Sequence, residues 1–523
     1  MRKRLALLTL LLLFLPSCTA DLWGNYDAYL SPTPTATATA SVAALPATLT
    51  PAPPTPTAEQ PTDEATPTVQ PSLEETPSLT PAPALTSVLY LSQSGDSLET
   101  VAAHFKVAVE SVSYSGDNLP TGFLSPGTPL VIQVPEGEIP TSPSILLLPD
   151  SEVIYSPSTV DFDVDDYVAA AGGELSTYRE WMTITGWTSG AQVIQRISYE
   201  SSINPRLLLG LLQYHSGWVQ GDPLPGVDED LLLGYDQPLY HGIYQQMRLA
   251  VQDLAAGYYG WRRGNLTELT FADGTTLRIS PGLNAGTVAL QYYFARRLDQ
   301  TEWLAAIDPQ TGFVALHEEM FGDPWLRADA VEPLITSIQR QPEFSLPFEV
   351  GRLWSLTGGP HPAWEQERVY AAIDFAPAMA VSGCVESTDW VVAIAPGLIV
   401  RSGGGYVILD LDGDGYEQTG WVVLYMHIAT KNRIAAGTWV DAGDHIGHPS
   451  CEGGVATGTH LHIARKYNGE WIGAGGPLPF TLSGWTAHYG AAAYRGTLTN
   501  DGLTITASTT GTHEAQLTRQ PGD

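Results

Sequence analysis

Apolar residues follow several distinct rhythms along this chain of 523 residues, and each rhythm predicts a different kind of structure. Leu5 to Leu15 is an apolar run broken only by Thr9 and preceded by Arg2-Lys3-Arg4, too short to span a bilayer but suited to an export signal. From Ser31 to Thr86 large apolar residues nearly vanish and Pro, Thr, Ala and Ser take over, so nothing there nucleates a core. Between Ser87 and Pro135 the apolar positions Leu98, Val101, Ala102 and Phe105 predict a helix capped by Ser97, flanked by the strand-like Leu89-Tyr90-Leu91 and Leu130-Val131-Ile132. From Ile145 to Phe344 helical spacing dominates, at Val193, Ile194 and Ile197 and again at Leu207, Leu208, Leu211 and Leu212. Asn204-Pro205 marks a helix start, and a further helix is expected after Gly286. Beyond Leu346 short β runs such as Trp390 to Ile394 and Trp421 to Ile428 alternate with glycine turns.

The expected organisation is therefore multidomain, because a chain this long exceeds one hydrophobic core. Its parts are a signal peptide over 1–17, a Pro/Thr-rich linker over 18–86, a small module over 87–135, a mostly α-helical middle domain over 136–345, an all-β antiparallel-sheet domain over 346–495 and a polar tail over 496–523. Twenty-four basic against 56 acidic side chains give a net charge of −32, which disfavours nucleic acid or an anionic membrane surface as a partner.

Leu15-Pro16-Ser17-Cys18 resembles the lipobox of bacterial lipoproteins, which implies a lipid on Cys18 and a membrane anchor facing the cell wall; ordinary cleavage near Ala20 is the alternative. With Cys18 acylated, only Cys384 and Cys451 remain, and export favours their pairing, worth about 4 kcal/mol in the chain-entropy model. Two free thiols are the other reading.

The module over 87–135 resembles LysM through Gly95-Asp96-Ser97-Leu98, Val107-Ala108-Val109, Asn118 and Ser125-Pro126-Gly127-Thr128-Pro129-Leu130-Val131-Ile132. The resemblance implies a βααβ fold that binds N-acetylglucosamine-containing glycan, with Gly95, Asp96, Ser97, Leu98 and Asn118 near the groove. A LysM fold that no longer binds sugar is the alternative.

The sharpest chemistry lies in Gly458-Thr459-His460-Leu461-His462, where two imidazoles two apart on a strand point to one face. His427 ends the run Trp421-Val422-Val423-Leu424-Tyr425-Met426, and alternation predicts it on the face of Trp421, Val423 and Tyr425. His361 and Asp374 complete a set of five. Two neutral imidazoles and one carboxylate make a familiar catalytic zinc site with a fourth position for water.

These residues resemble the lysostaphin and LytM-type zinc metallopeptidases, and the resemblance covers 346–490. Carried over, it implies that His361, Asp374 and His462 bind Zn²⁺ while His427 and His460 flank the reacting carbonyl. Most members of the family place the first His and the Asp four apart; here they are thirteen apart, as in the β-lytic branch. Tyr425 and Trp421 either wall a groove or fill the sheet core. His445 and His448 read as surface residues of the preceding turn.

Two weaker signals remain. Asp410-Leu411-Asp412-Gly413-Asp414-Gly415-Tyr416-Glu417 has the carboxylate spacing of a calcium loop, but its twelfth position is Trp421 rather than Glu, and a glycine-rich turn explains it without metal. Tyr199-Glu200-Ser201 resembles the Glu-Ser segment of lytic transglycosylases, which implies Glu200 as a second acid; a charged residue near a helix start is the plainer reading. The leading expectation is a peptidoglycan endopeptidase targeted by LysM. The alternatives are a non-catalytic wall-binding lipoprotein or a glycan-cleaving activity in the helical domain.

Overall fold

The computed structural model describes residues 84–522 except 115–120, 138–139, 238, 337–339, 365–368 and 379–381. The signal peptide, Cys18, nearly all of the linker and Asn118 lie outside the described residues. Among the described residues no helix is long and apolar enough to cross a membrane.

The first ordered part is a three-stranded antiparallel sheet with Pro129–Pro135 in the middle, flanked by Leu85–Leu91 and Val112–Tyr114. The helix Leu98–Phe105 closes it, burying Val101, Ala102 and Phe105 against Tyr90, Leu130 and Ile132. Ser97 caps that helix by accepting from the Thr100 amide, while the Thr100 hydroxyl accepts from the Ser97 amide. Where a second helix was expected after Val107-Ala108-Val109, a single 3₁₀ turn, Val109–Ser111, leads directly into the short strand Val112–Tyr114.

The middle region is helical around the long Gly242–Arg262 helix, which packs on Gly190–Ser201 and Ala285–Ala295. Asn204 caps Pro205–Ser216 through the Arg206 amide, and Gly217 ends it at φ +70°, a left-handed conformation that costs glycine little. Two short hairpins, Arg179–Met182 with Gly186–Ser189 and Glu268–Thr270 with Thr276–Arg278, interrupt the helices.

The C-terminal part is built on a nine-stranded antiparallel sheet. Its inner order runs Gly397–Gly403, Tyr406–Asp410, Trp421–Met426, Leu461–Tyr467, Ala372–Pro377, Leu353–His361. The period of two sorts its side chains into two cores. Ile373, Phe375, Val423, Tyr425, Leu461 and Ile463 face one; Ala372, Val422, Leu424, Met426 and Ala464 face the other, which they share with the helical region. The middle region thus lies over one face of the sheet.

The stretch expected to be a polar tail is part of the β architecture. Gly496–Asn500 and Leu503–Thr506 complete a four-stranded sheet, and Gln516–Thr518 pairs with Leu353–His361 at the edge of the large one. The sparse apolar residues Leu498, Ile505, Ala507 and Leu517 are all buried, so a few inward positions in a Thr-rich sequence suffice to dock it. His448 is likewise buried rather than on the surface: its ring packs on Trp390 at 3.9 Å and bonds to the Asp389 carbonyl. His445, stacked on the same indole at 4.1 Å, stays partly exposed.

Candidate active site

The strand register brings the candidate ligands together. Ala372–Pro377 lies between Leu353–His361 and Leu461–Tyr467, with Asp374 opposite His462 and His361 opposite Ala372. His361 Nε2 and His462 Nδ1 are 2.9 Å apart, and each is 3.2 Å from Asp374 Oδ1. All three residues are buried. Asp374 Oδ1 makes no hydrogen bond of its own although it is shielded from solvent. Three ligand atoms set tetrahedrally at 2.0–2.1 Å around a zinc ion lie roughly 3.3 Å apart, so this triangle has the dimensions of a metal face.

Main-chain carbonyls fix each imidazole. His361 Nδ1 donates to the Gly359 carbonyl at 2.8 Å and His462 Nε2 donates to that of Ala363 at 2.8 Å. The opposite nitrogens, Nε2 of His361 and Nδ1 of His462, are therefore bare and turned to Asp374. His427 Nδ1 donates to Glu452 O at 2.9 Å and His460 Nδ1 to Gly458 O at 2.8 Å, leaving a bare Nε2 on each. The His427 and His460 rings lie 4.3 Å apart, and His460 Nε2 is 3.9 Å from Asp374 Oδ1.

Burial acts on these groups in opposite directions. It would raise the Asp374 carboxyl, but the surrounding His361, His460 and His462 imidazoles outweigh it and hold Asp374 well below the usual carboxylate range. It lowers His462, and with the neighbouring His460 and His462 rings it pushes His427 down to about 3. An anionic carboxylate beside neutral imidazoles is the donor set a divalent metal prefers.

His427 does not sit on the face of Trp421, Val423 and Tyr425. It follows the strand Trp421–Met426 in a left-handed conformation, φ +62°, which breaks the alternation and turns the ring towards His460 and His462. Tyr425 belongs to the opposite core, fully buried, its oxygen accepting from the Ile394 amide. Trp421 packs with Leu334, Ile335 and Ile472. Neither walls a groove.

Cys384 and Cys451 are joined by a disulfide, with Cα atoms 5.8 Å apart. Cys451 sits between Ser450, whose amide donates to the His427 carbonyl at 2.7 Å, and Glu452, whose carbonyl receives the His427 ring. On the other side, Val385 N donates to Thr459 Oγ1 at 3.0 Å, next to His460. The bridge thus ties the segments that aim both histidines. Tyr494, stacked on His361 at 4.1 Å, carried no sequence signal; nor did the four receiving carbonyls, which are main-chain groups that no side-chain pattern reports.

The other candidates lie elsewhere. Gly95, Asp96, Ser97 and Leu98 are buried, Leu98 in the module's own core and Asp96 bonded to Tyr90 and Gln93, rather than lining an open groove. Gly95, at φ +78°, lies so close to Arg262 that a Cβ would meet its Nη1 at 2.6 Å, and Arg262 donates to the Ser94 carbonyl. The same guanidinium pairs with Asp150 at 2.7 Å and Glu470 at 2.9 Å, so ion pairing and packing have closed the expected sugar-facing loop. Glu200 is held by Arg196 at 2.7 Å and by the Tyr244 hydroxyl at 2.8 Å, an ion-paired setting rather than the apolar one a general acid needs.

A family model described as LasA, N-terminal domain, matches residues 146–335. Two proteins called Protease LasA from Pseudomonas aeruginosa are 24% and 25% identical over 312 and 313 residues, in each case 55% of this chain and 69% of the relative. Among solved structures, the M23 metalloprotease pseudoalterin from the deep sea has 22% identity and a TM-score of 0.28, over 32% of this chain and 96% of that one. The catalytic domain of lysostaphin from Staphylococcus simulans has 25% identity and a TM-score of 0.17, over 24% and 89%. The match to the LasA family model falls on the helical middle region.

Proposed function

We propose that this chain is an exported zinc endopeptidase that hydrolyses peptide cross-links in bacterial peptidoglycan. The observation that carries the reading is the triangle of His361 Nε2, Asp374 Oδ1 and His462 Nδ1, with sides of 2.9, 3.2 and 3.2 Å, the other nitrogen of each ring being held by a main-chain carbonyl. A zinc ion held there supplies a Lewis acid that polarises a scissile carbonyl and lowers the pKa of a water. The chain's own contribution is orientation and proton handling. His460, the more exposed of the remaining pair, presents a bare Nε2 that accepts a proton from the attacking water. His427 presents a second bare nitrogen 4.3 Å away, ring to ring, which accepts a hydrogen bond from that water and so helps to orient it.

The wall as substrate follows from the lysostaphin-like residue set, the export signal, the lipobox-like Cys18 and the LysM-like pattern of 87–135. Lipid on Cys18 and the Pro/Thr-rich linker would hold the folded part at a distance from the membrane and within reach of the wall. Glycan targeting by the module needs either a surface other than Gly95 to Leu98 or release of that loop from Arg262.

Digestion of purified peptidoglycan by the zinc-loaded chain tests the reading. New amino termini, abolished by chelation and restored by Zn²⁺, are expected; new reducing ends would assign the activity to glycan instead, and no product would leave a wall-binding protein.

A further inference from the structure

A second cluster of oxygen ligands lies on the loop that joins the strands Tyr406–Asp410 and Trp421–Met426. Asp410, Asp412 and Asp414 each offer a carboxylate oxygen, and the three oxygens lie within 4.8 Å of one another. Two oxygens bound at about 2.4 Å on opposite sides of a calcium ion are roughly 4.8 Å apart, so every pair here is close enough to be bridged by one ion.

Among the described residues, no ion pair joins Asp410, Asp412 or Asp414 to an Arg or Lys, and the nearby Arg401 and Lys466 are both taken by Glu417, at 2.6 and 3.1 Å. Asp410 is fully buried, and its Oδ1 is shielded from water without any hydrogen-bond partner. Its other oxygen accepts from the Gly415 amide at 3.0 Å. Burial of an unpaired carboxylate oxygen next to two more carboxylates is costly unless something positive completes the set.

The loop also has the shape such an ion needs. Gly415, sixth from Asp410, adopts φ +93°, the sharp turn that calcium loops place at that position, and the Tyr416 carbonyl follows at the seventh, where such loops supply a main-chain oxygen.

We propose that the Asp410–Asp414 loop is a calcium site, distinct from the histidine cluster, in which Asp410, Asp412 and Asp414 supply carboxylate oxygens to one hard divalent cation. Trp421 stands where a bidentate Glu would complete the shell. The site therefore falls in the weak class, with a Kd on the order of 10⁻⁴ to 10⁻³ M, as in extracellular calcium modules. Magnesium, which demands a tighter octahedron, substitutes poorly. Occupancy would pin the turn that feeds the strand Trp421–Met426, after which His427 follows, 13 residues beyond Asp414.

Calorimetric titration of the zinc-loaded full chain with CaCl₂, beside thermal melting with and without calcium, decides the matter without reference to peptidase activity. One equivalent of Ca²⁺ bound, a raised Tm, and loss of both in Asp412→Asn/Asp414→Asn support the site. Both residues are exposed, so the double variant is expected to fold, and its Tm without calcium checks that it does. The single variant Asp414→Asn should weaken binding at least tenfold and provides the same test should the double variant fail to fold. No binding by the parent chain up to about tenfold above that Kd range, or binding unchanged in the variants, overturns it.

Discussion

His361 and His462 come within 2.9 Å of each other from strands that do not pair, reaching over the intervening strand Ala372–Pro377 with Asp374 3.2 Å from each. The antiparallel register therefore sets the metal-binding geometry, since Asp374 pairs with His462 and His361 with Ala372. A one-residue slip of any of these strands would turn a ligand into the opposite core.

His462 and His460 should separate metal binding from chemistry. His462→Ala removes one corner of the triangle and is expected to lose zinc and activity together. His460→Ala should keep near-stoichiometric zinc while wall digestion slows by on the order of a hundredfold or more. Metal analysis beside the digestion assay reads both, and equal zinc loss in the two variants would refute the division of roles.

The disulfide should matter to the site as well as to stability. Cys384→Ser/Cys451→Ser frees the segment whose Ser450 and Glu452 main-chain groups hold His427. A stability loss of about 2–4 kcal/mol is expected in denaturant unfolding, together with reduced turnover at unchanged zinc content. Mass spectrometry of the exported parent should find the two cysteines linked, and free thiols there would count against the pairing.

Arg262 is expected to be the most sensitive buried charge. It joins Asp150 and Glu470 and contacts the Tyr258 hydroxyl, while donating to Ser94 in the first ordered module. Arg262→Ala strands two buried carboxylates and should cost about 3–5 kcal/mol. It should also uncover the loop at Ser94 and Gly95, so any retention on insoluble peptidoglycan should rise relative to the parent; a stable variant with unchanged retention would show that the loop plays no part in binding.

Acid sensitivity should have a traceable source in His104. Its ring is stacked on Trp261 at 3.5 Å, and burial pushes it down to about 4 even though it bonds to the Trp261 carbonyl. Below its unfolded pKa of about 6.5 the unfolded chain takes up a proton that the folded chain refuses. Stability is therefore lost as pH falls from about 6.5 to about 4, by ~3 kcal/mol from this group. Asp96, raised to about 6 by burial, acts with the opposite sign, so the measurement is the difference between parent and His104→Gln. The variant should lose less stability between neutral pH and about pH 5; an equal loss would exclude His104 as the source.

Much of this protein is local in origin and so legible in its sequence. Asn204-Pro205 and Gly217 bound a helix because caps and φ preferences act over a few residues, and His460 and His462 lie at alternate positions because the strand period is two. What required the tertiary structure was long-range. His427 leaves the face its strand assigns because a left-handed residue reverses the alternation. The carbonyls of Gly359, Ala363, Glu452 and Gly458, which choose each imidazole's tautomer, have no side-chain signature. Gly95 is covered by an arginine far along the chain, and the end of a Thr-rich tail becomes sheet because Leu353–His361 offers it an edge. Spacing along the chain selected the donors; only packing between distant segments decided which atoms face one another and which faces stay open.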